Sequence, residues 1–221
     1  MGELFANYPI FGAFGMTIVL SVFAGIGSLV LGTIIAIMRV SPVPIFQRAG
    51  AFYVNTVRNT PLTLLIIASN IVMVVNLGFS FSQDFARNNV IWSIIALSIY
   101  HAAFVCEALR SGVNTVPAGQ AEAARSIGLT FAQSLREVLL PQAFRGAITP
   151  LGNTMIALIK NTTIATAIGV SELAGVMKDM QEFNNNLILP IFIIIAVAFI
   201  ILTLPVGLLT TYLSNRLAVK R

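Results

Sequence analysis

The sequence predicts an all-α membrane protein of about five transmembrane helices, and three observations carry that prediction. Hydrophobic residues fill 57% of the 221 positions and charged residues only 10%, against about 25% charged in an ordinary soluble domain. Mean hydropathy is +0.90. Long uncharged runs recur along the chain, and most basic residues fall in alternate gaps between them. Backbone groups in lipid must find partners within their own segment, so runs of this length read as helices.

The runs supply the spans in order. Residues 4–38 form an uncharged stretch of 35, preceded by Glu3 and by no Lys or Arg. The basic segment of a secretory signal is missing, so the stretch reads as an uncleaved first span. Uncharged runs of 25, 19 and 33 residues follow at 59–83, 88–106 and 183–215. A further span is expected at about 147–170, interrupted only by Lys160. Each provides the roughly 20 apolar residues that a crossing requires. The short stretch 42–59, bounded by Pro44 and Pro61, reads as a helix lying at the membrane interface. In the first span Ser21 and Gly25, then Ser28, Gly32 and Ala36, recur at four-residue spacing. Such small residues allow close helix approach, although glycine is also common in membrane helices generally.

Charge sets the orientation. Arg39, Arg48, Arg58, Arg110, Arg125, Arg136, Arg145, Arg216, Lys220 and Arg221 fall on one side of a five-span topology, and only Arg87 and Lys178 on the other. Basic residues mark the cytoplasmic side, which places the N-terminus outside and the C-terminus in the cytoplasm. The formal charge of +5 therefore belongs to a membrane leaflet. No basic stretch interleaved with aromatics supports nucleic-acid binding. The single cysteine, Cys106, excludes an internal disulfide and a cysteine-rich metal site. No phosphate-cradling G-x-x-x-x-G-K-[ST] run is present, so the chain is not expected to be an enzyme with its own nucleotide site. Residues 1–221 read as a single transmembrane domain with a cytoplasmic loop at about 116–141.

That loop reads V-P-A-G-Q-A-E-A-A-R-S-I-G-L-T-F-A-Q-S-L-R-E-V-L-L-P from Val116 to Pro141. Pro117 suits a first helical position, and the Ala- and Glu-rich stretch 120–127 favours helix. Gly128 suits a left-handed helix terminator. Thr130 with Gln133 resembles a capping box, and Pro141 is expected to limit the second helix. Two short helices meeting at a turn, with alanines on one face, predict a docking knob.

Glu122-Ala123-Ala124, Gly128, Val138, Leu140 and Pro141 resemble the EAA loop of ABC importer permeases, with valine where isoleucine is usual at 138. Arg58-Asn59-Thr60-Pro61-Leu62, Lys160-Asn161-Thr162-Thr163 and Ile168-Gly169-Val170-Ser171-Glu172-Leu173 resemble stretches of the polar amino acid subfamily, with Asn59 in place of a glycine. Within it, the nearest resemblance is to permeases of actinobacterial glutamate uptake systems. The resemblance implies a type I importer permease fold in the cytoplasmic (inner) cell membrane. It implies alternating access driven by a dimeric ATPase that binds ATP and Mg; no cofactor is expected in this chain. It also implies a second permease chain, homologous or identical, and an external substrate-binding protein that delivers the amino acid. Glu122, Ala123, Ala124 and Gly128 would then couple the bundle to the ATPase. Glutamate is the expected solute.

Ionisable groups at membrane depth are candidates for the solute pathway because desolvating them is costly. Lys160, expected midway along its span, suits a substrate carboxylate, or else a structural ion pair with Glu107. His101 and Glu107, expected in the cytoplasmic half of the third span, are further pathway candidates; His101 suits packing through a hydrogen bond, or proton transfer. Asn161, Thr162 and Thr163 offer neutral hydrogen bonds to a solute or between helices. The segment 172–186 is expected as an outer loop facing the delivery protein. The alternative, a secondary transporter driven by an ion gradient, would show internal repeats and several intramembrane carboxylates, and the sequence displays neither clearly.

Overall fold

The computed structural model describes residues 2–217, and all of its regular structure is helical. The elements are α1 (Gly2–Asn7), α2 (Ile10–Val40), α3 (Pro44–Arg58), α4 (Leu62–Ser69) running on through a π-helical turn (Asn70–Asn76), and α5 (Phe85–Val113). Then come α6 (Ala118–Ser126), α7 (Phe131–Gln133), a second π turn (Ser134–Leu139), α8 (Leu140–Asn161) and a 3-10 segment (Thr162–Ile168). The chain closes with α9 (Leu173–Phe183), a short 3-10 turn (Asn185–Leu187) and α10 (Ile188–Leu217). Among the described residues three helical stretches, Ile10–Val40, Phe85–Val113 and Asn185–Leu217, are each long and apolar enough to cross a membrane. Two bent pairs bring the number to five: α3 with Leu62–Asn76, at 99°, and Phe131–Ile168 with α9, at 56°.

Packing inverts the water-soluble pattern. Apart from Ile10 and Leu20 the buried face of α2 is made of small residues, among them Thr17, Ala24, Gly25, Ser28, Gly32 and Ala36, while Phe23, Ile26, Val30 and Ile34 point outward. With no water to exclude from lipid, close backbone approach is what holds such helices together. A Cβ on Gly32 would sit 2.6 Å from the Val105 side chain and 2.8 Å from the Ala102 carbonyl oxygen, so the small residues of α2 do bring it onto α5. On the other side of α5, a Cβ on Gly112 would meet the Ala143 carbonyl oxygen and lie 2.9 Å from the Ala147 Cβ. The buried core thus runs along α5, with α2 on one flank and α8 on the other.

The element boundaries differ from the sequence expectation in four places. The first run breaks at Pro9, which has no N–H to continue a helix, leaving α1 separate from α2. The second run is helical only over Leu62–Asn76, because Gly78 turns the chain with φ +66°. The third run extends past its charged residues to Val113, where Glu107 finds arginine partners. Pro141 does not end a helix. It lies in the first turn of α8, after the π turn has shifted bonding so that the Leu140 N–H donates to the Leu135 carbonyl, and the chain stays helical from Phe131 to Asn161. The expected interface helix is α3, which buries Gly50, Val54 and Val57 and is tied to α5 by the Tyr53 hydroxyl donating to the Ile99 carbonyl at 2.5 Å. Lys220 and Arg221, two of the charges used for orientation, lie outside the described residues.

Candidate functional site

The loop after α5 folds from local rules. Pro117 is the N-cap of α6, one position earlier than expected, with extended backbone. At the other end the Gly128 N–H donates to the Arg125 carbonyl at 3.0 Å and the Leu129 N–H to the Ala124 carbonyl at 3.1 Å. This paired closure is the Schellman motif, and Gly128 takes φ +86° as it requires. Thr130 and Gln133 form the reciprocal capping box that opens α7: the Gln133 N–H donates to Thr130 Oγ1 at 3.3 Å, and the Thr130 N–H donates to Gln133 Oε1 at 2.9 Å.

The knob's exposed face departs from the expectation in one residue. Glu122 and Ala123 are exposed, but Ala124 is buried within its own chain, where α6 lies against the π turn. Ala124 therefore seats the knob and does not face outward. Its place on the surface is taken by Ile127, 77% exposed, at the C-cap of α6. The sequence signal for it was an isoleucine immediately before a left-handed glycine, a position that points off the helix's packed stripe.

The second region is a cavity of about 370 Å³ between α5 and α8, lined by Tyr100, His101, Phe104, Asn153, Thr154, Ala157 and Asn161. That volume is in the range of small-molecule sites. His101 is buried, its Nε2 lies 3.2 Å from Asn161 Nδ2, and its Nδ1 has no partner within the protein. Tyr100 and Phe104 flank the imidazole with ring centroids 5.4 and 5.9 Å away. The wall thus offers an amide on α8 and an imidazole on α5, framed by two aromatic rings.

The structure brings His101 and Asn161 together in the cavity wall and leaves the other candidates outside its lining. Lys160 is the penultimate residue of α8, before the 3-10 segment that carries the stretch on to Ile168, and the neighbouring Leu158 packs with Ala24 and Leu97 halfway along α2 and α5. Its side chain is exposed and lies outside the cavity lining, and it forms no ion pair with Glu107. Glu107 instead pairs with Arg39, with Arg110 at 2.8 Å and with Arg58 at 4.0 Å. Thr162 is buried and donates to the Ile159 carbonyl at 2.8 Å, and Thr163 donates to the Lys160 carbonyl at 2.9 Å. Both hydroxyls therefore serve the backbone. Tyr100, Phe104, Asn153 and Thr154 were missed by sequence reasoning; the available signal was the spacing Asn153, Ala157, Asn161, which lines one helical face.

The expected outer loop is largely the helix α9. Glu172 is its N-cap, fully buried, accepting from Ala174 and Gly175 N–H groups at 3.0 Å and from the Thr166 hydroxyl at 2.6 Å. It is a structural carboxylate, closed off inside its own chain.

Three comparisons bear on this architecture. Residues 28–219 match the family described as binding-protein-dependent transport system inner membrane component. The chain is 50% identical over 214 residues to the glutamate transport system permease protein GluC of Corynebacterium efficiens, covering 95% of this chain and 94% of that one. It is 31% identical over 183 residues to the glutamate/aspartate import permease protein GltJ of Escherichia coli, covering 80% and 74%. Among solved structures, a crystal structure of an amino acid ABC transporter with histidines superposes with TM-score 0.80 at 28% identity, over 94% of this chain and 93% of that one. An inward-facing MetNI methionine ABC transporter, 19% identical with TM-score 0.71, shares the fold. A helical bundle that joins a capped knob through one long helix to a cavity between α5 and α8, matched over nearly its whole length, belongs to the family of binding-protein-dependent transport system inner membrane components and has the type I ABC importer permease fold.

Proposed function

We propose that this chain is the membrane-spanning permease subunit of an ATP-driven importer for a polar amino acid, glutamate by preference. In this reading the N-terminus faces outward and the α6–α7 knob faces the cytoplasm, as the basic residues around Glu107 and on the knob favour. A partner ATPase dimer binds ATP and Mg and grips the knob through Glu122, Ala123 and Ile127, while Gly128 shapes the turn behind them. A second permease chain completes the pathway, and an external binding protein delivers the solute.

One observation carries the proposal. The helix that starts at the knob, at Phe131, continues without interruption to Asn161, which lines the cavity. Movement imposed on α6–α7 is therefore transmitted by covalent continuity to a wall of the cavity, and a packed bundle with two arrangements converts that movement into alternating access. The His101–Asn161 pair and Thr154 supply neutral hydrogen bonds to a polar solute there. Lys160, exposed beside this face, is assigned a supporting electrostatic role toward a carboxylate solute.

Half identity to GluC supports glutamate. The test is reconstitution of the chain with its ATPase, second permease and binding protein in proteoliposomes, followed by uptake of labelled L-glutamate. Accumulation that requires ATP and binding protein supports the proposal. Accumulation driven by an ion gradient without nucleotide would replace it with the secondary-transporter reading.

A further inference from the structure

The charge cluster at one end of the cavity has more cations than its carboxylate needs. Arg39 on α2 and Arg110 on α5 both hydrogen-bond Glu107, Arg110 through Nη2 at 2.8 Å and Nε at 3.2 Å. These two guanidiniums occupy both carboxylate oxygens. Arg58, the last residue of α3, reaches the same carboxylate only at 4.0 Å, too long for a hydrogen bond. Its side chain is 45% exposed, and its Cζ lies 5.4 Å from the centroid of the Phe104 ring. Phe104 is itself a wall of the cavity. One aromatic ring thus has the polar cavity on its border and an under-used guanidinium over its face. Arg58 also stands at the 99° bend between α3 and α4, where a change of helix angle alters its reach.

A planar guanidinium with free donors, stacked on a ring at the border of a polar cavity, is built to take a planar carboxylate in a two-pronged contact. Building on the cavity as the solute's seat, we propose that Arg58 binds the carboxylate of the amino acid as it leaves the cavity, and that Glu107 then competes with that carboxylate through its charge, from 4.0 Å and without a hydrogen bond. Glu107 is in this view a resident competitor. Held 4.0 Å from Arg58 by Arg39 and Arg110, it offsets part of the Arg58 charge once the solute has gone, and so favours release over rebinding. A purely structural ion pair needs neither a third arginine nor its placement over a cavity wall.

Equilibrium binding of labelled L-glutamate and L-glutamine to the assembled, detergent-solubilised importer without its binding protein tests this exchange. Arg58→Gln should weaken binding by about tenfold or more, the scale of one charge-assisted contact, and Arg58→Lys should restore part of it. Glu107→Gln, which keeps the side chain's shape and its contact with Arg110, should tighten binding several-fold. Opposite signs for the two variants are the signature, because a structural salt bridge broken from either side would weaken binding in both. Loss for both amino acids assigns the contact to the α-carboxylate, and loss for glutamate alone to the side-chain carboxylate; either supports the exchange. Shifts of the same sign, or an Arg58→Gln complex within twofold of the unaltered one, would overturn it. An Asn161→Leu complex separates the two layers. If it loses binding while Arg58→Gln does not, the cavity stands and the exchange falls. If neither variant changes binding, or the unaltered complex binds neither amino acid, both fall.

Discussion

Gly128 offers a clean perturbation because its role is conformational and nothing else. It sits at φ +86°, and a Cβ built there meets no atom within 4 Å. A side chain at this position therefore costs only the left-handed backbone, about 1–2 kcal/mol for an ordinary L-residue, with asparagine tolerated better because its side chain bonds locally. A penalty of that size shifts the closed Schellman turn toward its open form by a factor of roughly 5–30. The turn fixes the direction in which the chain leaves α6 to enter the α7–α8 rod. Opening it disconnects the knob's exposed residues from that rod without disturbing the membrane core. ATP-dependent uptake in proteoliposomes, normalised to inserted permease, should fall in the order Gly, Asn, Ala, Val at position 128. Membrane insertion should remain near normal in all four. A Gly128→Val protein that transports like the parent would refute the reasoning, since it would show that the turn's geometry does not pass force.

Three other changes follow from the same contacts. Ile127→Asp should reduce co-purification of the ATPase several-fold while leaving the helix content intact by circular dichroism, because Ile127 is largely exposed at the C-cap of α6; unchanged recovery of the ATPase would remove it from the docking face. Gly112→Leu forces a side chain into the Ala143 carbonyl and Ala147 and should lower stability by about 1–3 kcal/mol or more, read as a fall in the detergent melting temperature. Glu172→Ala removes a buried N-cap that satisfies two backbone donors and should cost about 1–2 kcal/mol; a melting curve superimposable on the parent's would show that α9 does not depend on it.

Much of the fold was legible because membrane helices announce themselves through uncharged length. The knob was legible for a different reason: Gly128, Thr130 and Gln133 act through neighbours two to five residues away, so their geometry is nearly complete in the sequence. What escaped was whatever depended on a distant partner. The end of the third run at Glu107 looked like a helix boundary, yet the helix runs on to Val113 and Glu107 is paired with Arg39, 68 positions earlier. Pro141 looked like a stop, but a π turn absorbs it. The cavity was half visible, in His101 and Asn161, because polar residues stand out in an apolar run; Tyr100 and Phe104 look like any other apolar-facing aromatics until α8 is laid against them. Lys160 drew the eye by charge, although its side chain is exposed and outside the cavity lining.

The unbroken helix from Phe131 to Asn161 gives the subunit a mechanical gain. At 1.5 Å per residue it is roughly 45 Å long, so a tilt of about 5° about one end sweeps the other through roughly 4 Å, close to the width of a small solute. Any preference that the cavity end shows for one tilt must be returned with equal free energy at the knob end. A filled cavity should accordingly make itself felt by whatever grips the knob, and an empty one should leave that grip idle.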